Sequence, residues 1–267
     1  MADRQPTQLA DEDAMDTMLR QKLTLTLTLI LLCLAAPAHA QVYFDFTSGG
    51  VTSGSSYGNN ITFTSGDVTL KATSWADTGA NDTFESARIR SWSSFGLGSC
   101  NRNEGSNCSN PEHQFDNYGD HDYALFVLTG GASEVLFHTI TLDPYDTWDR
   151  DVSFWIGTID PGLDLTGYDK MDLAMLGFGA QMDVFNSRSS AAIEIALNDI
   201  SGNALLIAPN ADQTSTYSRK IDRFKIAGLE AEEMARVPEP ATMFLFGGGL
   251  LGGAFIRKRR PGLTVTS

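Results

Sequence analysis

The stretch AAIEIALN, residues 191–198, decides the class of fold because its apolar and polar side chains alternate. Ile193, Ile195 and Leu197 occupy every second position, and Glu194 lies between two of them. Successive side chains of a β-strand point to opposite faces of a sheet. A period of two therefore predicts a strand with one buried face and one face in water.

Nine further segments share this β-branched and aromatic character, and clusters of Gly, Asn, Asp and Ser separate them. They are residues 42–47, 61–65, 68–76, 86–92, 123–129, 135–143, 152–159, 204–209 and 222–229. About ten short strands without helical crossovers predict an all-β fold, an antiparallel β-sandwich with jelly-roll-like connections. The exception is residues 165–177, where Thr166 is a candidate cap for a short helix.

Composition restricts the classes of function. The 267 residues include 33 acidic and 19 basic side chains, a net charge of −14. A nucleic-acid ligand is not expected, because such a partner requires neutralisation of its phosphates. Residues 41–237 alone carry 27 acidic and 12 basic side chains, a net charge of −15. A surface rich in Asp and poor in Lys suits a protein that works outside the cell.

Residues 1–40 are predicted to be a signal peptide, removed by signal peptidase. A positive start at Arg20 and Lys22 precedes an apolar run, and AHA at 38–40 gives a small-x-small cleavage site. Residues 1–17 carry acidic side chains where a signal peptide is positive, which suggests a misassigned start codon.

The C-terminal end has the pattern of a membrane anchor. Residues 241–256 form an uncharged run, slightly shorter than the roughly 20 residues of a full transmembrane helix. A basic cluster follows and keeps the tail, residues 261–267, in the cytoplasm, so that the body is exported. This cluster consists of Arg257, Lys258, Arg259 and Arg260.

The sequence VPEP at 237–240, the apolar run after it and the basic cluster together resemble the PEP-CTERM sorting signal, over residues 237–260. This resemblance implies processing by an exosortase, a membrane protease that cuts near the motif and delivers the body to the cell surface or medium. The motif residues are Val237, Pro238, Glu239 and Pro240. Two prolines hold this segment extended, as a protease requires. The exported domain is then 41–230, with a linker at 231–236.

A second resemblance lies inside the exported domain. Residues 95–128 are similar to a segment found in other PEP-CTERM proteins, in which a Gly-Leu-Gly turn leads to a histidine and then to acidic residues before a strand. His113, Asp116, Asn117 and Asp122 occupy those places. The resemblance implies no specific activity.

Cys100 and Cys108 flank a polar loop, and export makes a disulfide between them the expected state. Such a bridge would add about 2 kcal/mol of stability. The alternative is a metal site that includes His113, but two cysteines and one histidine leave it one ligand short. The third cysteine, Cys33, belongs to the signal peptide.

A run of oxygen-bearing side chains is a candidate Ca²⁺ site, because Ca²⁺ takes six to eight oxygen ligands from a flexible loop. The candidate ligands are Asp116, Asn117, Asp120 and Asp122. The alternative is a solvated turn whose side chains bond their own backbone. A weaker second candidate is the acidic loop with Asp146, Asp149 and Asp151.

No catalytic motif is present in a suitable context, so the sequence favours a non-enzymatic protein. We expect a structural or glycan-binding module in an exopolysaccharide or biofilm matrix, the context in which PEP-CTERM proteins occur. The alternative is a carbohydrate-active hydrolase, which needs only a suitably spaced carboxylate pair. Trp155 could belong to a sugar-binding platform, but packing in a second layer is the favoured interpretation.

Overall fold

The computed structural model describes residues 18–23, 40–105, 113–213 and 221–234. Residues 18–23 are helical and exposed. The remaining described residues belong to a unit that spans His39–Met234 and is built of strands.

Fifteen strands lie in the described part of the chain, together with two 3₁₀ turns at Arg102–Glu104 and Lys170–Asp172. The strands are β1 (Gln41–Asp45), β2 (Val51–Ser53), β3 (Asn60–Ser65), β4 (Val68–Ala76), β5 (Glu85–Ser86), β6 (Arg88–Trp92), β7 (Gly96–Cys100), β8 (Phe115–Asp116), β9 (Asp122–Gly130), β10 (Val135–Asp143), β11 (Val152–Gly157), β12 (Met182–Val184), β13 (Ile193–Gly202), β14 (Ala204–Pro209) and β15 (Arg223–Glu233).

The strands form two antiparallel sheets. The seven-stranded sheet has the order β13-β10-β15-β7-β6, and β1 and β8 also pair with β15. The eight-stranded sheet has the order β12-β11-β14-β9-β4-β3-β2, and β5 pairs with β4. The chain crosses between the sheets at β1–β2, at β5–β6, along β8–β9–β10–β11 and along β12–β13–β14–β15, whereas the meander β2–β3–β4 stays within one sheet. The fold is an antiparallel two-sheet sandwich, and the finer jelly-roll connectivity stays a prediction.

The main core lies between the sheets. The predicted alternation places Ile195 and Leu197 of β13 in this core, while Glu194 faces outward. Phe126 of β9 contributes from the opposite sheet and stacks on Phe46, with ring centroids 5.1 Å apart. Both inner faces are therefore apolar, which is the driving force for closing the sandwich.

A second apolar core covers the outer face of the eight-stranded sheet. Strands β9 and β14 present apolar side chains on both faces, so that Tyr123 and Leu206 point away from the main core. The segment 160–178 covers them with Leu165, Leu173 and Phe178. Trp155 is 3% exposed in this second core, in agreement with the favoured packing interpretation.

Two local predictions need correction. Thr166 does not cap a helix, because Asp169 caps the 3₁₀ turn Lys170–Asp172 and accepts a hydrogen bond from the Met171 amide at 2.7 Å. The Gly-Leu-Gly sequence is not a turn but the start of β7, buried along its whole length. A Cβ on Gly98 would lie 2.4 Å from the His113 carbonyl oxygen, so only glycine allows this close approach.

Strand β15 extends to Glu233 and thus includes the first residues of the segment predicted as a linker. Among the described residues no helix is long and apolar enough to cross a membrane. The predicted transmembrane segment 241–256, the sorting motif and most of the signal peptide lie outside the described residues.

Candidate functional site

The predicted Ca²⁺ ligands lie where β8 and β9 meet the start of β15. Asp116 is buried beside Arg223, and its Oδ2 lies 3.1 Å from the Arg223 Nε. Its Oδ1 accepts a hydrogen bond from the Tyr118 amide at 3.0 Å. Burial raises the pKa of Asp116 to about 6, although the Arg223 guanidinium opposes this shift.

Asp122 is completely buried at the start of β9. Its Oδ1 accepts a hydrogen bond from Asn101 Nδ2 at 3.2 Å, whereas its Oδ2 has no hydrogen-bond partner among the described residues. Burial raises the pKa of Asp122 well above its usual range, and the nearby charges of Glu104 and Asp116 raise it further. A neutral carboxyl is the form that such a position favours.

The other two predicted ligands have different neighbours. Asn117 exchanges two hydrogen bonds with Asp222, at 2.8 and 2.9 Å, and also donates to the Gln213 carbonyl oxygen. Asp120 accepts a hydrogen bond from Asn103 Nδ2 at 2.8 Å. The four side chains therefore have separate sets of partners, and the prediction that they share one Ca²⁺ stays a prediction.

Three further carboxylates form what we call the acidic trio: Asp149, Asp151 and Asp222. One carboxylate oxygen of each lies within 4.8 Å of one oxygen of the other two. Burial, followed by the charges of Asp151 and Asp149, raises the pKa of Asp222 to about 7. Carboxylates this close share a proton or bind a cation, and the raised pKa favours the shared proton below pH 7. The sequence indicated the loop with Asp149 and Asp151 but not Asp222, which is 71 positions beyond Asp151.

Cys100, Glu104 and His113 also lie together, with one donor atom of each inside 4.8 Å. The His113 Nδ1 is 3.6 Å from Glu104 Oε1. Cys108, the predicted disulfide partner of Cys100, lies outside the described residues, so the disulfide stays a prediction.

A row of stacked aromatic and guanidinium groups lies beside these acids, and we call it the ladder. Arg223 stands over the ring of Tyr118 at 5.8 Å and over the ring of Trp148 at 4.7 Å. Arg188 stands over the same Trp148 ring at 5.9 Å. Tyr118 is 54% exposed and Arg188 is also exposed. The ladder thus places aromatic and cationic groups at the surface in fixed positions.

The ladder could not be predicted as a unit from the sequence. Its members come from four separate parts of the chain, and no local spacing relates them. One signal was present in the sequence. Tyr118 and Trp148 each lie within a short run of polar, turn-forming residues, NYGD and DTWD, and not within a predicted strand. The other tryptophans differ, since Trp75 and Trp155 are buried in the second core.

Trp92 covers a lysine side chain that has no contact with solvent. Lys225 is completely buried, and its Nζ lies 3.6 Å from the centroid of the Trp92 ring while it donates to the His113 carbonyl oxygen. Burial lowers the pKa of Lys225 to about 7. Lys225 therefore has a structural environment, without access for a ligand.

Comparison with known proteins bears on the C-terminal end. The search of curated proteins gave no match to the chain. Residues 236–260 match the family model described as the PEP-CTERM protein-sorting motif, and this range contains the motif residues, the apolar run and the basic cluster that the sequence indicated. The chain therefore carries a PEP-CTERM sorting motif and is an exported protein that exosortase sorts at the membrane to a surface or extracellular location.

Proposed function

We propose that the exported body is a non-enzymatic glycan-binding module of the cell surface or extracellular matrix, where its partner is exopolysaccharide. The observation that carries this proposal is the ladder. Sugar rings stack on exposed aromatic faces and accept hydrogen bonds through their hydroxyls. Tyr118 offers such a face, and the neighbouring guanidinium groups offer N–H donors.

The position of the ladder supports this role. Arg223 begins β15, whereas Glu233 ends it, about 33 Å away along a strand of this length. The chain continues towards the sorting motif from the Glu233 end. Gln41, the first residue after the predicted cleavage site, pairs with Glu232 at that same end. Both ends of the exported body therefore leave it far from the ladder.

The carboxyl groups favour binding over hydrolysis. A glycosidase needs a carboxylic acid with a raised pKa in contact with the substrate. Asp222 has the raised pKa, but it is 3% exposed and is bonded to Asn117. Asp116, whose pKa is also raised, is 4% exposed and lies beside Arg223. The hydrolase alternative therefore rests on Asp222 beside Asp151, and it requires the site to open.

A glycan array with the processed protein tests the proposal. We expect binding to a subset of glycans, and we expect Tyr118→Ala to weaken it roughly three- to tenfold, because a ring contact is lost. Tyr43→Ala is the matched control, since Tyr43 is 55% exposed on β1 and lies at the other end of β15. Binding that both variants leave unchanged, or binding to no glycan, would overturn the proposal.

The same glycans, incubated with the protein and assayed for new reducing ends, test the alternative. We expect no release of reducing ends. Release that Asp222→Asn abolishes would establish the hydrolase instead.

A further inference from the structure

We infer that the ladder selects a glycan with carboxylate groups and that Arg188 is the residue that binds the carboxylate. This inference rests on the proposed function and adds the chemical class of the ligand. It starts from the observation that the aromatic rings of the ladder already hold cations. Arg188 and Arg223 both stand over Trp148, so the ring of Trp148 serves first to position two guanidinium groups.

The two arginines differ in their exposure and in whether an acidic side chain of the protein pairs with them. Arg223 is 22% exposed and lies 3.1 Å from the Asp116 carboxylate, so its charge is compensated within the protein. Arg188 is exposed, and its Nη2 donates to the Thr147 carbonyl oxygen at 3.0 Å. No carboxylate lies within ion-pairing distance of Arg188 in the part of the chain that the structure describes.

Exposure distinguishes Arg188 from Arg150, which is buried and likewise forms no ion pair with a carboxylate among the described residues. Residues 41–237 contain more than two acidic side chains for each basic one. Arg102, in contrast, lies 3.7 Å from Glu85. Arg188 keeps N–H donors directed to solvent.

The geometry of Arg188 suits an anion. A guanidinium group is planar and binds a carboxylate or sulfate through two parallel hydrogen bonds. The Trp148 ring and the Thr147 carbonyl oxygen hold this plane before any ligand arrives. A fixed side chain loses less rotamer entropy on binding, which raises its affinity for a matching group.

The surrounding charge sets the conditions for binding. The body carries −15, and Asp146 and Asp149 flank the Thr147–Trp148 part of the ladder, so a polyanion is attracted only through direct contact with Arg188. At an ionic strength near 0.15 M the Debye length is about 8 Å, which screens the distant acids but not a direct contact. The measurement therefore belongs at that ionic strength.

The test compares two uronic-acid oligomers, oligogalacturonate and alginate oligomers, each with its fully methyl-esterified form. Esterification keeps the sugar ring and removes the charge. We expect the processed protein to bind at least one acid about tenfold more tightly than its ester, the value of one charge-assisted hydrogen-bonded contact. Arg188→Gln should reduce the acid to the affinity of the ester.

Arg90→Gln is the matched control, because Arg90 stands over Trp92 at 5.8 Å, the same arrangement away from the ladder. Equal binding of acid and ester, or a preference that Arg188→Gln leaves intact, overturns the inference and leaves the proposed function standing. If neither acid binds while neutral glycans do, the inference is again wrong. If no glycan of any kind binds, the proposed function fails as well. Thermal melting of each variant separates these outcomes from loss of the fold.

Discussion

The outer faces of the two sheets differ, although both sheets follow the same antiparallel plan. The outer face of the eight-stranded sheet is apolar and lies beneath the segment 160–178. The outer face of the seven-stranded sheet is polar: Glu194, Glu230 and His138 lie on it, and His138 bonds to Asp199 and Glu232. Apolar burial thus stabilises one face, while the other is left to water and to charged side chains.

The difference is visible in the sequence of single strands. Strand β9 contains the continuous apolar run ALFVL at 124–128, whereas β13 alternates. A run without alternation indicates a strand that is covered on both faces, and alternation indicates one that is covered on one face. Substitutions at Trp155, Lys225 and Glu194 test whether this contrast between the outer faces also appears in the free energy of unfolding.

The largest effect is expected from Trp155→Ala, which removes one of the two tryptophan side chains of the second core. The loss should lower the free energy of unfolding by about 3–5 kcal/mol, because it combines lost burial with a cavity. Trp155 is 3% exposed and its ring centroid lies 6.3 Å from that of Tyr123. Urea denaturation gives the value, and Trp155→Phe, a smaller truncation, covers the case in which the alanine variant fails to fold.

The control lies on the opposite outer face. Tyr43 is an aromatic residue of the seven-stranded sheet and is 55% exposed, so Tyr43→Ala should cost less than about 1 kcal/mol. Equal losses at the two positions would show that the second core contributes no more stability than the wet face does.

A smaller effect is expected from Lys225, the one buried amine on the outer face of β15 among the described residues. Its pKa of about 7 lies below the value in the unfolded chain. Between pH 7 and 10 the unfolded state therefore binds more protons than the folded state, so this group makes stability rise with pH. From pH 7 to pH 9 the rise should be about 2 kcal/mol.

Lys225→Met isolates this contribution, because methionine keeps most of the volume under Trp92 and cannot titrate. Urea denaturation at pH 7 and pH 9 gives the rise in the free energy of unfolding for each protein. The rise in the wild type minus the rise in Lys225→Met is the contribution of Lys225. A rise that is the same in the variant would mean that other groups produce it and that Lys225 is charged in the folded state.

The strands could be predicted from the sequence where side chains carry a period or a continuous apolar run. Strands β4, β10 and β14 match their predicted bounds. Strand β7 could not be predicted, because its glycines lack the side chains that form a pattern. Gly96 is needed for the close approach to Ile226, and Gly98 for the close approach to His113. The predicted strand 86–92 is divided between the two sheets at Ala87, and only tertiary packing makes that division.

The C-terminal motif could be predicted because its parts are adjacent in sequence. The surface site could not, because it depends on distant contacts. Asp116 and Asn117 are neighbours in the chain, yet one lies beside Arg223 and the other bonds Asp222. Adjacent side chains of an extended segment face opposite ways, so neighbouring positions in the sequence need not share partners in space.

The smallest effect is expected from Glu194→Ala on β13, the alternating strand at the edge of the seven-stranded sheet. The Glu194 backbone pairs with Thr141, and its side chain is exposed, so the free energy of unfolding should change by less than about 0.5 kcal/mol. The inward-facing neighbour Ile195, 2% exposed in the main core, is the matched position, and Ile195→Ala should cost about 2–5 kcal/mol. Urea denaturation of the two single variants compares the faces of one strand. A loss above about 1 kcal/mol for Glu194→Ala would show that the polar face also contributes to stability. The two outer faces would then differ in the polarity of their side chains but not in whether they stabilise the fold.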